Sequence, residues 1–301
     1  MPTYYSQEYP LGTPSVAGNN LTVDLMLREP TRITNYLSNV ALKNYFAERI
    51  FTNGGGVSGG ALVYSQLVAN DILPTRAAQT IAPGAEFPEV TFDRPAPLTA
   101  QVEKLGGGFW VTDEARDRND LSAIQSEGAK LGNDIQRQLH ARALSELDAS
   151  IAAIGSDGTM VGTSWADAAA LTLTSTANSL LPHTDFANLR KKAAIKELGV
   201  EYNLLIVNPQ ERANFEIIYQ GRANEVLAAN GLSMVVSNIV AAGTAYAVQE
   251  GMVGQVRYEK ALSTEVDRTV RREANWVQAS VRHVFAVTNP YCALTITGLA
   301  A

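Results

Sequence analysis

The chain has 301 residues, 46% of them hydrophobic and 18% charged, and a formal net charge of −6; this suits a folded core of one large or two small domains. With no basic tail and no block of like charge, a dedicated nucleic-acid or anionic-membrane binder is disfavoured. No run approaches the ~18 apolar residues of a membrane span, the N-terminal MPTYYSQEYPLG lacks the basic and apolar regions of a signal peptide, and the lone Cys292 excludes an intrachain disulfide and a cysteine zinc cluster, so a cytoplasmic protein with a buried structural cysteine is expected.

Residues 1–28 carry Pro2, Pro10, Gly12, Pro14, Gly18 and the Asn19-Asn20 pair, which break both helical and strand periods. Leu21, Val23, Leu25 and Leu27 alternate as a short strand does. The stretch reads as an extended arm that adds itself to a neighbouring subunit. Glu29 to Phe51 has helical spacing at Ile33, Tyr36, Leu37, Val40, Tyr45, Phe46 and Ile50, with Thr31 as cap after Pro30. The glycine run Asn53 to Gly60 lacks the Gly-Lys-Ser/Thr ending of a phosphate loop and lies between a helix and a strand, the reverse of the required order, so it reads as a flexible hinge.

Between Asn70 and Val111, alternating runs at Glu89 to Asp93 and Thr99 to Leu105, separated by Pro95 and Pro97, predict a long hairpin. It carries Glu86, Glu89, Asp93, Arg94, Glu103 and Lys104 and few large apolar residues. An isolated two-stranded hairpin is marginal in water, so something outside must hold it.

From Leu121 to Ile151 apolar residues recur at steps of three and four, which predicts one amphipathic helix roughly 45 Å long at 1.5 Å per residue. Asn119 or Asp120 is the expected cap and Gly155 the stop. The stripe lacks sustained leucine heptads, so the helix is expected to lie on a sheet as a spine, with Gly128 and Gly132 marking close crossings and His140 on the polar side. GSDGTMVGTSW then reads as a loop. Thr184 or Asp185 caps a helix that Gly199 ends, and strand YNLLIVN, a helix from Glu211 to Tyr219, and a hairpin of SMVVSNIV with TAYAVQE follow. Asp185 to Glu250 is expected to form a compact unit. Beyond Val256, two long antiparallel strands joined at Glu273-Ala274-Asn275, then CALTITGL, supply a sheet for the spine.

Chemistry-bearing patterns are scarce. His140, His183 and His283 stand in neither triad nor metal-ligand spacing, and the acidic group Asp113, Glu114, Asp117 and Asp120 flanks a helix start, where carboxylates cap and pair. Arg190-Lys191-Lys192 with Lys196 reads as a solvated face. No catalytic, cofactor or metal residue is assigned.

Taken in order, arm, helix, glycine turn with ALVYSQ, long hairpin, the junction Gly107-Gly108-Phe109-Trp110-Val111-Thr112-Asp113-Glu114, spine, LLIVNPQE, and terminal strands with Trp276-Val277-Gln278-Ala279-Ser280 and Thr288-Asn289-Pro290 resemble the major capsid proteins of tailed double-stranded-DNA phages, the Hong Kong 97 fold. The resemblance implies an α+β class and the family's parts: an N-terminal arm and helix (1–52), a peripheral-domain strand (53–71), an extended loop (72–108), a peripheral domain with the spine (109–184), an axial domain (185–250) and peripheral strands to the C-terminus (251–301). It also implies a non-catalytic subunit that forms hexamers and pentamers of an icosahedral virion shell around packaged DNA, assembled in the bacterial cytoplasm, with portal and, as further candidates, scaffolding or decoration proteins as partners. The alternative is an encapsulin-type compartment enclosing cargo enzymes. Glu89, Asp93, Arg94, Lys104, Asp113, Glu114, Asp117, Arg271, Arg272 and Asn275 are the candidate inter-subunit contacts. Some members of the family weld the shell with a Lys to Asn isopeptide bond. Here Asn275 stands at a plausible peripheral-loop position, but Arg94 lies near the loop tip, Lys104 lies toward its base and Arg282 stands where an acid is wanted, so no crosslink is expected.

Overall fold

The structure, a computed structural model, describes residues 23–42, 46–68, 76, 78–90, 95–166, 171 and 176–300. Most of the expected arm therefore lies outside the described residues. Its last turn is α1 (Val23–Arg28), followed by α2 (Pro30–Leu42) and α3 (Ala47–Ile50). Leu21 to Leu27 was expected as a strand; from Val23 the chain is helical instead, with Val23 and Met26 fully buried three residues apart. Thr31 sits inside α2 rather than capping it.

The glycine run is no plain hinge. Its first half belongs to β1 (Phe51–Gly56), which pairs parallel with β9 (Gly254–Thr269), and only Val57 to Gly60 is a turn before β2 (Ala61–Tyr64). The expected hairpin is also redrawn. β3 (Leu98–Gln101) pairs antiparallel with β2, not with Glu89 to Asp93, and the chain then enters β4 (Glu103–Thr112) in a different sheet. Residues 85–90 form no strand, and 91–94 lie outside the described residues.

After the short α4 (Asp113–Asp117) comes the spine, α5 (Leu121–Ala153), 33 residues and thus about 50 Å long. The remaining elements are β5 (Thr159–Val161), α6 (Pro182–Lys196), β6 (Leu204–Val207), α7 (Pro209–Ile218), α8 (Ala223–Ala229), β7 (Ser233–Val236), β8 (Thr244–Val248), β9 (Gly254–Thr269), β10 (Ala274–Val287) and β11 (Ala293–Thr297). They form a four-stranded sheet ordered β1-β9-β10-β4, a five-stranded sheet ordered β5-β11-β8-β6-β7, and the separate β2-β3 ribbon.

The spine joins two cores. Ile124, Ile135 and Leu139 pack with Ile33, Tyr36 and Leu37 of α2 and with Phe109, Val111, Val277 and Val281 of the four-stranded sheet. Ala143, Leu144, Leu147 and Ile151 enter the larger core with Trp165, Phe186, Phe215 and the five-stranded sheet. At Gly128 the crossing element is α2: a Cβ there stands 3.3 Å from the Tyr36 ring, whose hydroxyl donates to the Gln125 carbonyl at 3.1 Å.

Several local expectations change. Asn119 caps α1, not the spine, by accepting from the Val23 N–H at 2.8 Å. His140 is 5% exposed, against the Phe46 ring at 4.1 Å, not on the polar side. Within GSDGTMVGTSW, Thr159–Val161 is the edge strand β5, parallel to β11. Neither Thr184 nor Asp185 caps α6, which starts at Pro182; the Asp185 carboxylate is buried and accepts from Thr163 N–H, Thr163 Oγ1 and Trp165 Nε1 at 2.8–3.0 Å. β7 and β8 form no hairpin but flank β6 on opposite sides. The sheet of the 185–250 region is completed from outside it, by β5 and β11. Lys192 and Lys196 do not lie free in solvent: Lys192 Nζ donates to the carbonyls of Ser156 and Thr159, and Lys196 Nζ to that of Asp157, tying α6 to the turn after the spine.

Candidate inter-subunit surface

The candidate surface lies at one end of the four-stranded sheet. β9 and β10 are joined by a 3-10 turn, Val270 to Arg272, and by Glu273 in the left-handed region at φ +46°. Asn275 is therefore a strand residue opposite Arg268, not part of the connection as its sequence position suggested. It is 6% exposed.

β4 ends beside this turn. Thr112 Oγ1 accepts from Ala115 N–H at 3.3 Å and starts α4, and Asp113 N–H donates to the Glu273 carbonyl at 2.8 Å. The Asp113 carboxylate gathers Arg268 at 2.8 Å, Arg116 at 3.4 Å and the Asn275 amide at 3.4 Å. Its hydrogen bond to Arg268, helped by the charge of Arg116, holds its carboxyl below the usual range. Asp117 pairs with Arg116, and Glu114 is exposed.

On the open side of the same sheet end, Trp110 and Trp276 stand directly opposite each other in register with ring centroids 4.8 Å apart. The Arg272 guanidinium lies 4.9 Å from the Trp110 ring, and Val270 beside it is 73% exposed. An indole face attracts a guanidinium through its quadrupole, so the turn holds Arg272 over Trp110, while Arg271 is exposed. β10 comes this close to β4 because of glycine: a Cβ on Gly108 runs into the Trp276 indole and the Val277 carbonyl.

The structure thus brings Asp113, Glu114, Asp117, Arg271, Arg272 and Asn275 to one sheet end. Lys104 is elsewhere: it faces Arg282, eight residues down β4 from Thr112, or about 27 Å. Glu89 is exposed in the described part of the long loop, near Phe87, which is 85% exposed; Asp93 and Arg94 lie outside the described residues. Arg116, Arg268, Trp110 and Trp276 were missed. The two tryptophans were legible only with the β4–β10 register, which sequence spacing does not fix.

Nucleophile and metal geometry is weak. Burial pushes the Cys292 thiol up to about 11, which keeps it protonated at neutral pH. Among the described residues no three His, Cys, Asp or Glu side chains stand close enough to hold a metal ion, and no helix of the described residues is long and apolar enough to cross a membrane.

The family model for phage capsid protein matches residues 95–296, about two thirds of the chain. The chain belongs to the phage capsid protein family. Among solved structures it is similar to a protein of Mycobacterium phage Bobi (12% identity, TM-score 0.59, covering 85% of this chain and 90% of that one). It is also similar to the virus-like particle from Pyrococcus furiosus (12%, 0.57, 90% and 98%) and to the capsid of cyanophage P-SCSP1u (14%, 0.56, 83% and 88%). No curated protein sequence matches. At these identities the structures speak for the fold, the α+β Hong Kong 97 type, and the family makes this a structural phage capsid protein.

Proposed function

We propose that this capsid protein assembles into hexamers and pentamers that close an icosahedral shell around packaged double-stranded DNA, in the host cytoplasm, and does so without catalysis. The observation that carries this is the uncovered ribbon. β2 and β3 pack on their own chain through a small cluster, Leu62, Tyr64 and Ala100 against Val284 and Ala286, while Val63 is 64% exposed, Leu98 41% and Phe87 in the loop between them 85%. A two-stranded ribbon with that much open apolar surface needs a partner, and identical copies supply one at every position of a closed shell.

Charge selects where it lands. Glu86 and Glu89 flank exposed Phe87, while Arg271 and Arg272 directly follow exposed Val270. The long loop of one copy against the β9–β10 turn of its neighbour joins opposite charges around an apolar contact. Asp93, Arg94, Glu114 and Asp117 serve the rim of the same contacts, and Lys104 the ribbon base. The shell is held without an isopeptide bond: the Asn275 amide is buried and engaged by Asp113 of its own chain. Portal protein, with scaffolding or decoration proteins, completes the partner set.

Negative-stain imaging and sedimentation of the purified protein test this. Shells or capsomer rings are expected, enclosing nuclease-protected DNA when made with a packaging system and running as monomer after boiling in denaturant. Lone monomers at high concentration overturn the assembly reading; protein cargo in place of DNA favours the compartment alternative.

A further inference from the structure

Where β3 gives way to β4 the chain crosses from the ribbon to the sheet through the single residue Val102, whose N–H donates to the Gly60 carbonyl at 2.9 Å. Gly59 and Gly60 on the facing strand connection hold φ of +86° and +76°, values that L side chains avoid. One end of the ribbon therefore meets the body at two narrow crossings, while at the other end the Leu67 N–H donates to the Thr288 carbonyl at 2.7 Å. Beneath them is a cleft of about 290 Å³ between ribbon, spine and β10, lined by Tyr64, Gln101, Glu103, Arg142, Glu146 and His283 among others. Arg142 of the spine bridges it, donating to Glu103 of β4 at 2.8 Å and to Glu146 at 2.5 Å.

His283 is the anomaly. It is 3% exposed, edge-on to Phe285 at 5.3 Å, and neither ring nitrogen has a hydrogen-bond partner among the described residues. A buried imidazole without partners is costly in either form, and a polar-lined cleft of this size admits water and hence protons. The groups that face it are Glu103, its register partner on β4, Tyr258, its partner on β9, Tyr64 from the ribbon, and Arg142 and Glu146 from the spine. Its neutral form is favoured by burial and by Arg142 and opposed by Glu103.

We propose that His283 is a proton-operated wedge at the ribbon: neutral, it leaves Arg142 free to bridge Glu103 and Glu146 with the ribbon seated on β10, and protonated, it competes for Glu103, repels Arg142 and loosens the ribbon's seat between its anchors at Val102 and Leu67. All the groups belong to one chain, so the inference stands apart from how copies assemble. Among the side-chain types in this cluster, imidazole is the one whose ordinary range falls between pH 5 and 8.

The test is amide hydrogen exchange of the purified full-length protein between pH 7.5 and 5, corrected for the intrinsic pH dependence of exchange. Protection at residues 61–64 and 98–101 is expected to fall by about threefold or more, with spine amides unchanged, since local opening reports the stability of that unit alone. His283→Gln, which cannot take the proton, is expected to abolish the dependence, and His140→Gln, at the other buried histidine, to retain it. Wild-type protein with no pH dependence, or His283→Gln with the full dependence, overturns the wedge. Exchange of the imidazole C2 hydrogen, read by mass spectrometry on wild-type protein, needs no variant to fold. The His283 midpoint must coincide with ribbon loosening, and a midpoint displaced by more than about one pH unit overturns the proposal.

Discussion

At the residue scale, charge and space pull against each other at single positions. His140 shows the first. Burial against Phe46 lowers its pKa from 6.5 to about 4, so the folded state favours the neutral ring. The unfolded chain then binds more protons between those values: this contribution to stability is full above pH ~6.5 and is lost as pH falls toward 4, with a slope of at most ~1.4 kcal/mol per pH unit. Asp113 acts lower. Its pKa is depressed by Arg268, so its contribution is present above the ordinary carboxyl value near 4 and lost only as pH falls through the depressed one. Urea denaturation of unassembled protein at pH 7, 5.5 and 4.5 is expected to show a falling midpoint in wild type and a shallower fall in His140→Phe, while Asp113→Asn leaves that window unaltered. Gly108→Ala tests space: its Cβ meets the Val277 carbonyl at 2.7 Å, an atom fixed in the sheet, so a loss of about 1–3 kcal/mol is expected in the same assay.

At the element scale, the spine shows what sequence spacing reveals. Its start at Leu121 and its buried face follow from a 3.6-residue period sustained over nine turns, because one helix face must meet a core whatever supplies that core. Strand partners lie outside such reasoning. β2 pairs with β3 across a connection of more than thirty residues, and β5, three residues long with only Met160 partly buried, carries too little alternation to be seen. β7 and β8 are close in sequence and both apolar, yet β6, buried on both faces, draws each to a different side. The candidate surface was legible to the same degree. Asp113, Glu114 and Asp117 were visible as charges before a helix, but Arg268 and the two tryptophans depend on the β4–β9–β10 register. Gly128 carries a prediction here. Alanine there gains about 1 kcal/mol of helix propensity, but Tyr36 is 2% exposed and tied to Gln125 by its hydroxyl, so its ring has no room to retreat from 3.3 Å. Gly128→Ala is expected to be destabilising on balance, and a raised denaturation midpoint contradicts the α2 crossing.

At the scale of the whole molecule, the chain keeps two cores well packed and leaves its projecting parts short of contacts, and this division sets how substitutions act. Phe87 and Arg271 are exposed and belong to neither core, so changing them leaves the monomer's denaturation midpoint within about 0.5 kcal/mol of wild type. In a closed shell the same contact recurs in every copy, and a loss of ~1 kcal/mol per contact is multiplied by the number of contacts each subunit makes before the assembled fraction responds. Phe87→Ser and the pair Arg271→Glu with Arg272→Glu are therefore expected to raise the protein concentration needed for assembly by an order of magnitude or more in light scattering and sedimentation, a shift of at least ~1.4 kcal/mol per subunit. If the loop and the turn face each other across the interface, Glu86→Arg with Glu89→Arg restores assembly to the arginine-reversed variant, because both signs are then exchanged. Screening gives the matching signature: raised salt weakens wild-type assembly through this contact and strengthens that of the arginine-reversed variant alone, where like charges meet. Restoration absent under all salt conditions places the loop against some other part of its neighbour.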